Sequence, residues 1–307
     1  MSQSRTHTVT GATGYTGRYI TDLLLRRGDR VQSITGHLSR HNPFGDRVKV
    51  HPFNFDRPDL LERTLAGTDT LFNTYWIRFN RGDRTFERCV EETRTLFKAA
   101  KAAGVRRIVH ISIINPDPHS PLPYFRGKGQ VEDALRASGV SYAILRPTVL
   151  YSAEDVLLNN IAWALRRFPV FLLPGTGRYN IQPVFVEDLA ELAIAAVEED
   201  RDTELDAVGP EVFTYAEMVK LIRDKVKTRC LALPAPGLLT YAIGRVMGMF
   251  LKDIILTRDE IRGLSAGLLV SKSDAPPPAR TRLSEWLDRN GAELGRRYAS
   301  ELQRHYR

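Results

Sequence analysis

Residues 6–27 read THTVTGATGYTGRYITDLLLRR: a β-branched run, a glycine-bearing turn and a stretch with helical periodicity. The glycines Gly11, Gly14 and Gly17 fall as G-x-x-G-x-x-G. A strand that passes through such a turn into a helix restricts the fold more than any other feature of this chain. The turn is tight, a side-chain-free surface is left for a ligand, and the helix can pack closely on the strand. The free amides and positive dipole end of the helix favour phosphates. With a strand before it and a helix after it, the spacing reads as a pyrophosphate-binding turn. Thr13, Tyr15, Thr16 and Arg18 share that turn and are expected to bind the dinucleotide with the three glycines.

The segments that follow repeat the unit. Strands are expected at 30–35, 48–53, 69–74, 106–112 and 140–145. Helices are expected at 15–27, from Pro58 to Gly67, at 85–103 and at 125–138. Such alternation predicts an α/β fold, a doubly wound parallel Rossmann sheet, with ligands at the carboxyl ends of the strands. Residues 36–46 read as a loop. After Tyr151 the alternation breaks. A helix near 154–167 leads into the Pro/Gly-rich FPVFLLPGTGRYN, then a strand and helix over 183–199 and a strand at 204–209. The remainder reads as helical, with capping boxes at Thr214–Glu217 and Thr257–Glu260 and a stiff linker at 274–281. The expected division is a dinucleotide-binding domain over 1–152, to which about 178–210 return. A smaller, mostly helical substrate lobe takes 153–177 and 211–307.

The second strand ends Ile34-Thr35-Gly36-His37, without the acid that commonly holds an NAD ribose. Arg18, His37 and Arg40 stand where a 2′-phosphate would lie, so NADP(H) is expected, with NAD(H) as the alternative. The net charge of +8 admits anionic partners. The basic residues are scattered, often as Arg-Arg pairs, and no nucleic-acid-reading motif accompanies them, so a nucleic-acid partner is not expected. Cys89 and Cys230 have no metal or redox spacing, and no metal is expected. The first ten residues hold no apolar leader core, which points to a cytoplasmic protein. Residues 238–256 are apolar but broken by Arg245, Lys252 and Asp253. Thr240, Gly244 and Gly248 give them a small-residue line suited to tight helix packing. The alternative is a helix lying on an anionic membrane, a peripheral contact. No sequence feature bears on oligomeric state.

With these residues in place, the chain resembles the short-chain dehydrogenase/reductase superfamily over roughly 6–210. It is most similar to the extended or atypical branch, which includes epimerase/dehydratase-like proteins, the nitrogen-metabolite-repressor type and the NADPH-binding accessory subunit of respiratory complex I. TGATGYTG matches the cofactor turn, and Asn54-Phe55 the position beside the adenine. HIS at 110–112 ends the fifth strand with the family serine. Tyr124-x-x-x-Lys128 matches the catalytic pair, LRPTVLY at 145–151 the Arg-Pro segment beside the nicotinamide, and VFVEDLA at 184–190 a strand–helix junction of that branch.

The resemblance implies that Ser112, Tyr124 and Lys128 are catalytic. It further implies that Asn54, Phe55, Asn73, Lys128, Pro147 and Thr148 contact the cofactor. Tyr124 and Lys128 are four apart and share a helix face. A neighbouring ammonium favours the phenolate of a tyrosine, which can then exchange a proton with a substrate oxygen during hydride transfer. Ser112 would hydrogen-bond that oxygen, and Lys128 would hold the nicotinamide ribose. Asn73-Thr74-Tyr75-Trp76 replaces the small turn usual in catalytic members. Tyr75 and Trp76 after the fourth strand, with Tyr151 and Asn159 after the sixth, are the expected contacts to a small-molecule, partly apolar substrate. Two functions follow. One is an NADP(H)-dependent oxidoreductase or epimerase/dehydratase-like enzyme. The other is a non-catalytic NADP(H)-binding redox sensor or assembly subunit.

Overall fold

The structure, a computed structural model, describes residues 4–306; the first three residues of the N-terminal stretch read above lie outside it. The chain divides into two units, Met1–Arg146 with Leu189–Asp206 and Pro147–Asp188 with Ala207–Arg307.

In the first unit the β-branched runs become seven strands, all parallel. They are β1 (Thr6–Thr10), β2 (Arg30–Thr35), β3 (Val48–Pro52), β4 (Thr70–Asn73), β5 (Arg107–Ile111), β6 (Ser141–Leu145) and, further along the chain, β11 (Thr203–Leu205). Their order is β11-β6-β5-β4-β1-β2-β3. The winding direction reverses between β1 and β4, which is where such sheets bind ligands. The helices between strands are α1 (Tyr15–Arg26), α2 (Pro58–Leu65), α3 (Phe86–Ala102) and α4 (Pro123–Arg136). Apolar faces of α2, α3 and α4 meet Leu71, Ile108 and Ile144 of the sheet in one core that includes Leu61, Leu65, Leu96, Phe97, Val131 and Leu135. Arg107, with no exposed surface, joins β5 to the returning segment by donating to the carbonyls of Ala196 and Arg201 at 2.8 and 3.0 Å.

The second unit is less helical than its sequence reads. Three short ladders run through it. β7 (Leu150–Tyr151) pairs in parallel with β10 (Val184–Phe185). β9 (Asn180–Ile181) pairs antiparallel with β12 (Phe213–Thr214). β8 (Val170–Pro174) pairs in parallel with β13 (Leu231–Ala235). The Pro/Gly-rich FPVFLLPGTGRYN stretch thus supplies a strand whose partner lies about sixty residues away. The helices of this part of the chain are α5 (Leu157–Arg167), α6 (Val186–Ala195, within which the chain returns to the first unit), α7 (Tyr215–Lys225), α8 (Gly237–Leu251), α9 (Arg258–Ser265), α10 (Leu283–Asn290) and α11 (Glu301–Tyr306). Both expected capping boxes form, at α7 and α9. The core gathers Tyr151, Leu158, Ile161, Leu165, Met218, Ile222, Trp286 and Leu287. Among the described residues no helix is long and apolar enough to cross a membrane.

Candidate functional site

The glycine turn forms at the carboxyl end of β1. Gly11 takes φ +66° and its carbonyl accepts from Gly14 N at 2.8 Å. A β-carbon at Gly17 would stand 2.2 Å from that same carbonyl oxygen, and one at Gly14 would stand 3.0 Å from it. Only glycine at 17 lets α1 approach β1 this closely. No side chain caps α1 and its first turn holds no acid, so the helix's own first turn leaves its dipole end to a pyrophosphate. Thr13, Tyr15, Thr16 and Arg18 are half-buried around it. The residues present therefore fit the phosphates of a dinucleotide.

Beyond β2 the chain turns through Gly36, His37 and Arg40. His37 N donates to Thr35 Oγ1 at 3.1 Å, and Arg40 N to the His37 carbonyl at 3.2 Å. After β3, Asn54 adopts a left-handed φ of +49°, which asparagine tolerates better than most residues. Its neighbours Phe53 and Phe55 stack at 4.6 Å, and Tyr75 lies against both at 4.8 and 5.3 Å. The Tyr75 hydroxyl donates to Glu92. Tyr75 is thus tied to α3 and to the two phenylalanines, and it shares with Trp76 and Tyr124 the apolar cluster of Ile77, Phe86 and Cys89.

Asn73 does not face the cleft. It is fully buried; its Nδ2 donates to His110 Nδ1 at 3.1 Å and its Oδ1 accepts from Tyr75 N at 3.1 Å. Burial holds the His110 imidazole well below its ordinary pKa, hence neutral. Thr74 exchanges hydrogen bonds with Thr10, N to Oγ1 at 2.7 Å and Oγ1 to the carbonyl at 2.6 Å. The Asn73-Thr74 pair therefore fixes the exit of β4 against β1 and β5, and Asn73 also holds the amide of the next residue, Tyr75, ahead of Trp76.

Trp76 is the centre of the cluster at the start of α4. Its ring stacks on Phe86 at 5.8 Å and meets the Tyr124 ring edge-on at 6.0 Å. The Lys128 ammonium lies 4.8 Å from the Trp76 ring centre and donates to the Ile111 carbonyl at 2.9 Å. Gly127 makes room for the indole: a β-carbon there would be 2.8 Å from the ring. Gly129 makes room for the Pro118 backbone, 2.4 Å from where its β-carbon would be. The two glycines that look like weak points in a helix are thus packing requirements. Burial pulls Lys128 down to about 7, against the opposing field of Glu132. Tyr124 and Lys128 lie one turn apart on α4, each against the Trp76 ring, and the indole covers the ammonium instead of leaving it open toward a ribose.

Ser112 departs further from expectation. Its Oγ donates to Glu132 Oε1 at 2.6 Å, and it is 5% exposed. Glu132 in turn holds Arg136 at 2.8 Å and Arg146 at 2.7 Å, and Glu204 holds both arginines again. A serine that polarises a substrate oxygen must donate its proton to it, and here that proton is committed to a carboxylate. Ser112 belongs to the ionic cluster that fastens α4 to β6 and β11. Sequence reading missed Glu132 and had Arg146 only as part of the Arg-Pro segment; the available signal was that Glu132 continues the Tyr124–Lys128 face by one more turn.

The remaining expected contacts lie in the second unit. Pro147 and Thr148 open it, both buried, and the Thr148 hydroxyl donates to the Gln182 carbonyl. Tyr151 has no exposed surface and its hydroxyl donates to the Thr281 carbonyl at 3.0 Å. Asn159 donates to the carbonyls of Ala153 and Asp155, each at 2.9 Å, and accepts from Gly295 N. Neither Tyr151 nor Asn159 offers a polar group to a substrate: the first is core, the second a clamp for the C-terminal segment. Among the described residues no group of acids, histidines and cysteines is placed to hold a metal.

Comparison with known proteins bears on the family and the fold. Residues 11–161 match the family described as NAD(P)H-binding. The chain is 27% identical over 285 residues to the Arabidopsis thaliana protein named NADH dehydrogenase [ubiquinone] 1 alpha subcomplex subunit 9, mitochondrial, covering 86% of this chain and 70% of that one. It is 29% identical over 239 residues to the ceramide reductase of Caulobacter vibrioides, covering 76% and 74%. Among solved structures, the NADPH-dependent quinone oxidoreductase of Escherichia coli superposes with a TM-score of 0.72 at 21% identity, covering 92% of this chain and 98% of that one; this likeness is one of fold.

Proposed function

The chain belongs to the NAD(P)H-binding, atypical branch of the short-chain dehydrogenase/reductases, and from that premise we propose that it is an NADP(H)-dependent oxidoreductase acting on a small, partly apolar carbonyl or alcohol. The observation that carries the reading is the side-chain-free turn at Gly11, Gly14 and Gly17, where α1 opens uncapped at the sheet's switch point. Gly11 to Arg18 hold the pyrophosphate. The absence of an acid after β2, with Arg18, His37 and Arg40 nearby, favours a 2′-phosphate. The fold relative from Escherichia coli is described with NADPH, and that supports the choice.

When bound, the reduced nicotinamide supplies hydride. The chain's own part is to hold a carbonyl against Tyr124, whose hydroxyl gives the oxygen its proton. Phe86, Trp76 and Ile77 form an apolar wall beside Tyr124, which suits a substrate with apolar surface. Lys128, one turn away on the same face of α4 and lowered to about 7 by burial, favours the phenolate when it is charged. The test is turnover of NADPH against a panel of aldehydes, ketones and quinones, with Tyr124→Phe beside the native chain. Loss of about a hundredfold or more in kcat is expected for a general acid; unchanged turnover in the variant sinks the mechanism.

A second reading, a dinucleotide-binding protein without catalysis, is favoured by the indole over Lys128 and by the commitment of Ser112 to Glu132. It expects NADPH to raise the thermal stability of the native chain while no member of the panel consumes it.

A further inference from the structure

Helix α8 faces the wrong way for a helix in water. Its small residues point inward. Thr240 and Gly248 are buried; a β-carbon at Gly248 would meet the Asp253 carbonyl oxygen at 2.6 Å, and one at Gly244 would touch Leu256 at 3.8 Å. Its large residues point outward. Leu238 is 71% exposed, Met249 68% and Phe250 82%, with Leu239, Ile243 and Val246 between them. At 100° per residue these six side chains span one arc, and Arg245 stands at its border. The small-residue line is therefore the packing face, and the apolar arc has no counterpart in its own unit. Leu231 and Leu233 of β13, which leads into the helix, are exposed as well.

The charge around this arc has one sign. Between Asp224 and Asp253 the chain carries no acid, while Lys227, Arg229, Arg245 and Lys252 are all exposed. Asp253 is turned inward, accepting from Tyr298 Oη and from the amides of Glu301 and Leu302 at 2.8 to 3.0 Å. Of the acids on α9, Glu260 is spent on the capping box and Asp259 lies 3.8 Å from Arg262. At 15 residues, about 22 Å long, α8 is too short to span a hydrocarbon core of about 30 Å. An apolar arc with a cationic border on a short helix is the pattern of an interfacial anchor.

We propose that α8 docks this protein on the surface of a bilayer containing anionic lipid, with Leu238, Val246, Met249 and Phe250 entering the acyl boundary and Arg245 and Lys252 at the headgroups. A second copy suits the arc less well. Arg245 sits near the middle of the helix, so a two-fold contact along α8 brings it against its own copy. The proposal is independent of catalysis.

Flotation of the full-length protein with vesicles of phosphatidylcholine, with and without phosphatidylglycerol, tests it. The native chain is expected to rise with the anionic vesicles at low salt, about tenfold more than with neutral ones, and to be released by high salt. Leu238→Ser with Phe250→Ser, and separately Arg245→Glu with Lys252→Asn, should each lose most of that binding. Both variants should keep native NADPH binding, since none of these residues lies in the cofactor turn. Absence of native flotation at low salt overturns the proposal, as does flotation that survives Leu238→Ser with Phe250→Ser. A concentration-dependent dimer that this same pair of changes abolishes, without flotation of the native chain, assigns the arc to a second copy instead.

Discussion

At Gly17 a single methyl group decides whether α1 can lie on β1. The atom it would strike, 2.2 Å away, is the Gly11 carbonyl oxygen, part of the turn itself and unable to swing aside. Gly17→Ala is therefore expected to weaken NADPH binding by tenfold or more, and to lower unfolding stability by about 1–3 kcal/mol, as overpacking does. Fluorescence titration and urea unfolding read the two effects; native affinity in this variant would remove the turn from the cofactor site. Lys128 gives a prediction in pH. Its folded value of about 7 lies below the roughly 10.4 of an unfolded lysine. Between those values the unfolded chain holds the extra proton, so stability rises as pH climbs from about 7 to about 10, and below 7 the full penalty remains. The difference in unfolding free energy between the native chain and Lys128→Met should thus grow with pH across that window, by at most about 1.4 kcal/mol per unit. A flat difference would place the ammonium in water.

Helix α4 shows which parts of the site could be seen in advance and which could not. The Tyr124–Lys128 spacing, the turn before α1 and the caps of α7 and α9 are local patterns, and each formed where the residues pointed. The fate of Ser112 was not local. It depended on Glu132, twenty residues on, and on Arg146 and Glu204, which reach Glu132 and its partner Arg136 only once β6 and β11 are in place. The same holds for β8 and β13. Each is a short proline-bearing run, the first in a Pro/Gly-rich stretch and the second in a part of the chain that reads as helical, and each becomes a strand only by pairing with the other. Asn159 was expected to be a substrate contact because its partner Gly295 lies far along the chain. The Glu132 side chain is 1% exposed, so removing it strands a hydroxyl and weakens two arginines. Glu132→Ala is expected to cost about 3 kcal/mol, the order found when a buried ion pair loses one member. Urea unfolding measures it, while the Gly11–Gly17 turn should keep its NADPH affinity. A cost near zero would mean that Glu204 alone suffices to fasten α4.

Across the whole molecule, the first unit is not a continuous piece of chain. The alternation of strands and helices drew its boundary near residue 152, with a later segment returning. The structure closes the first stretch at Arg146 and brings back Leu189–Asp206. The returning segment is an internal support. β11 covers the edge of β6, and the carbonyls of Ala196 and Arg201 take the guanidinium of Arg107, which has no exposed surface. A fragment ending at residue 152 retains Arg107 but loses those two acceptors and the strand beside β6. A buried cation left without these acceptors carries a penalty of several kcal/mol, comparable with the whole stability of an ordinary domain, about 5–15 kcal/mol. The fragment is therefore expected to show broad thermal unfolding and weak near-ultraviolet circular dichroism. Joining 1–146 through a short flexible linker to 189–206 restores both carbonyls and β11, and should recover a sharp transition that NADPH shifts upward. If the fragment ending at 152 unfolds as cooperatively as the joined chain, then Arg107 finds other acceptors and the returning segment is dispensable to the cofactor unit.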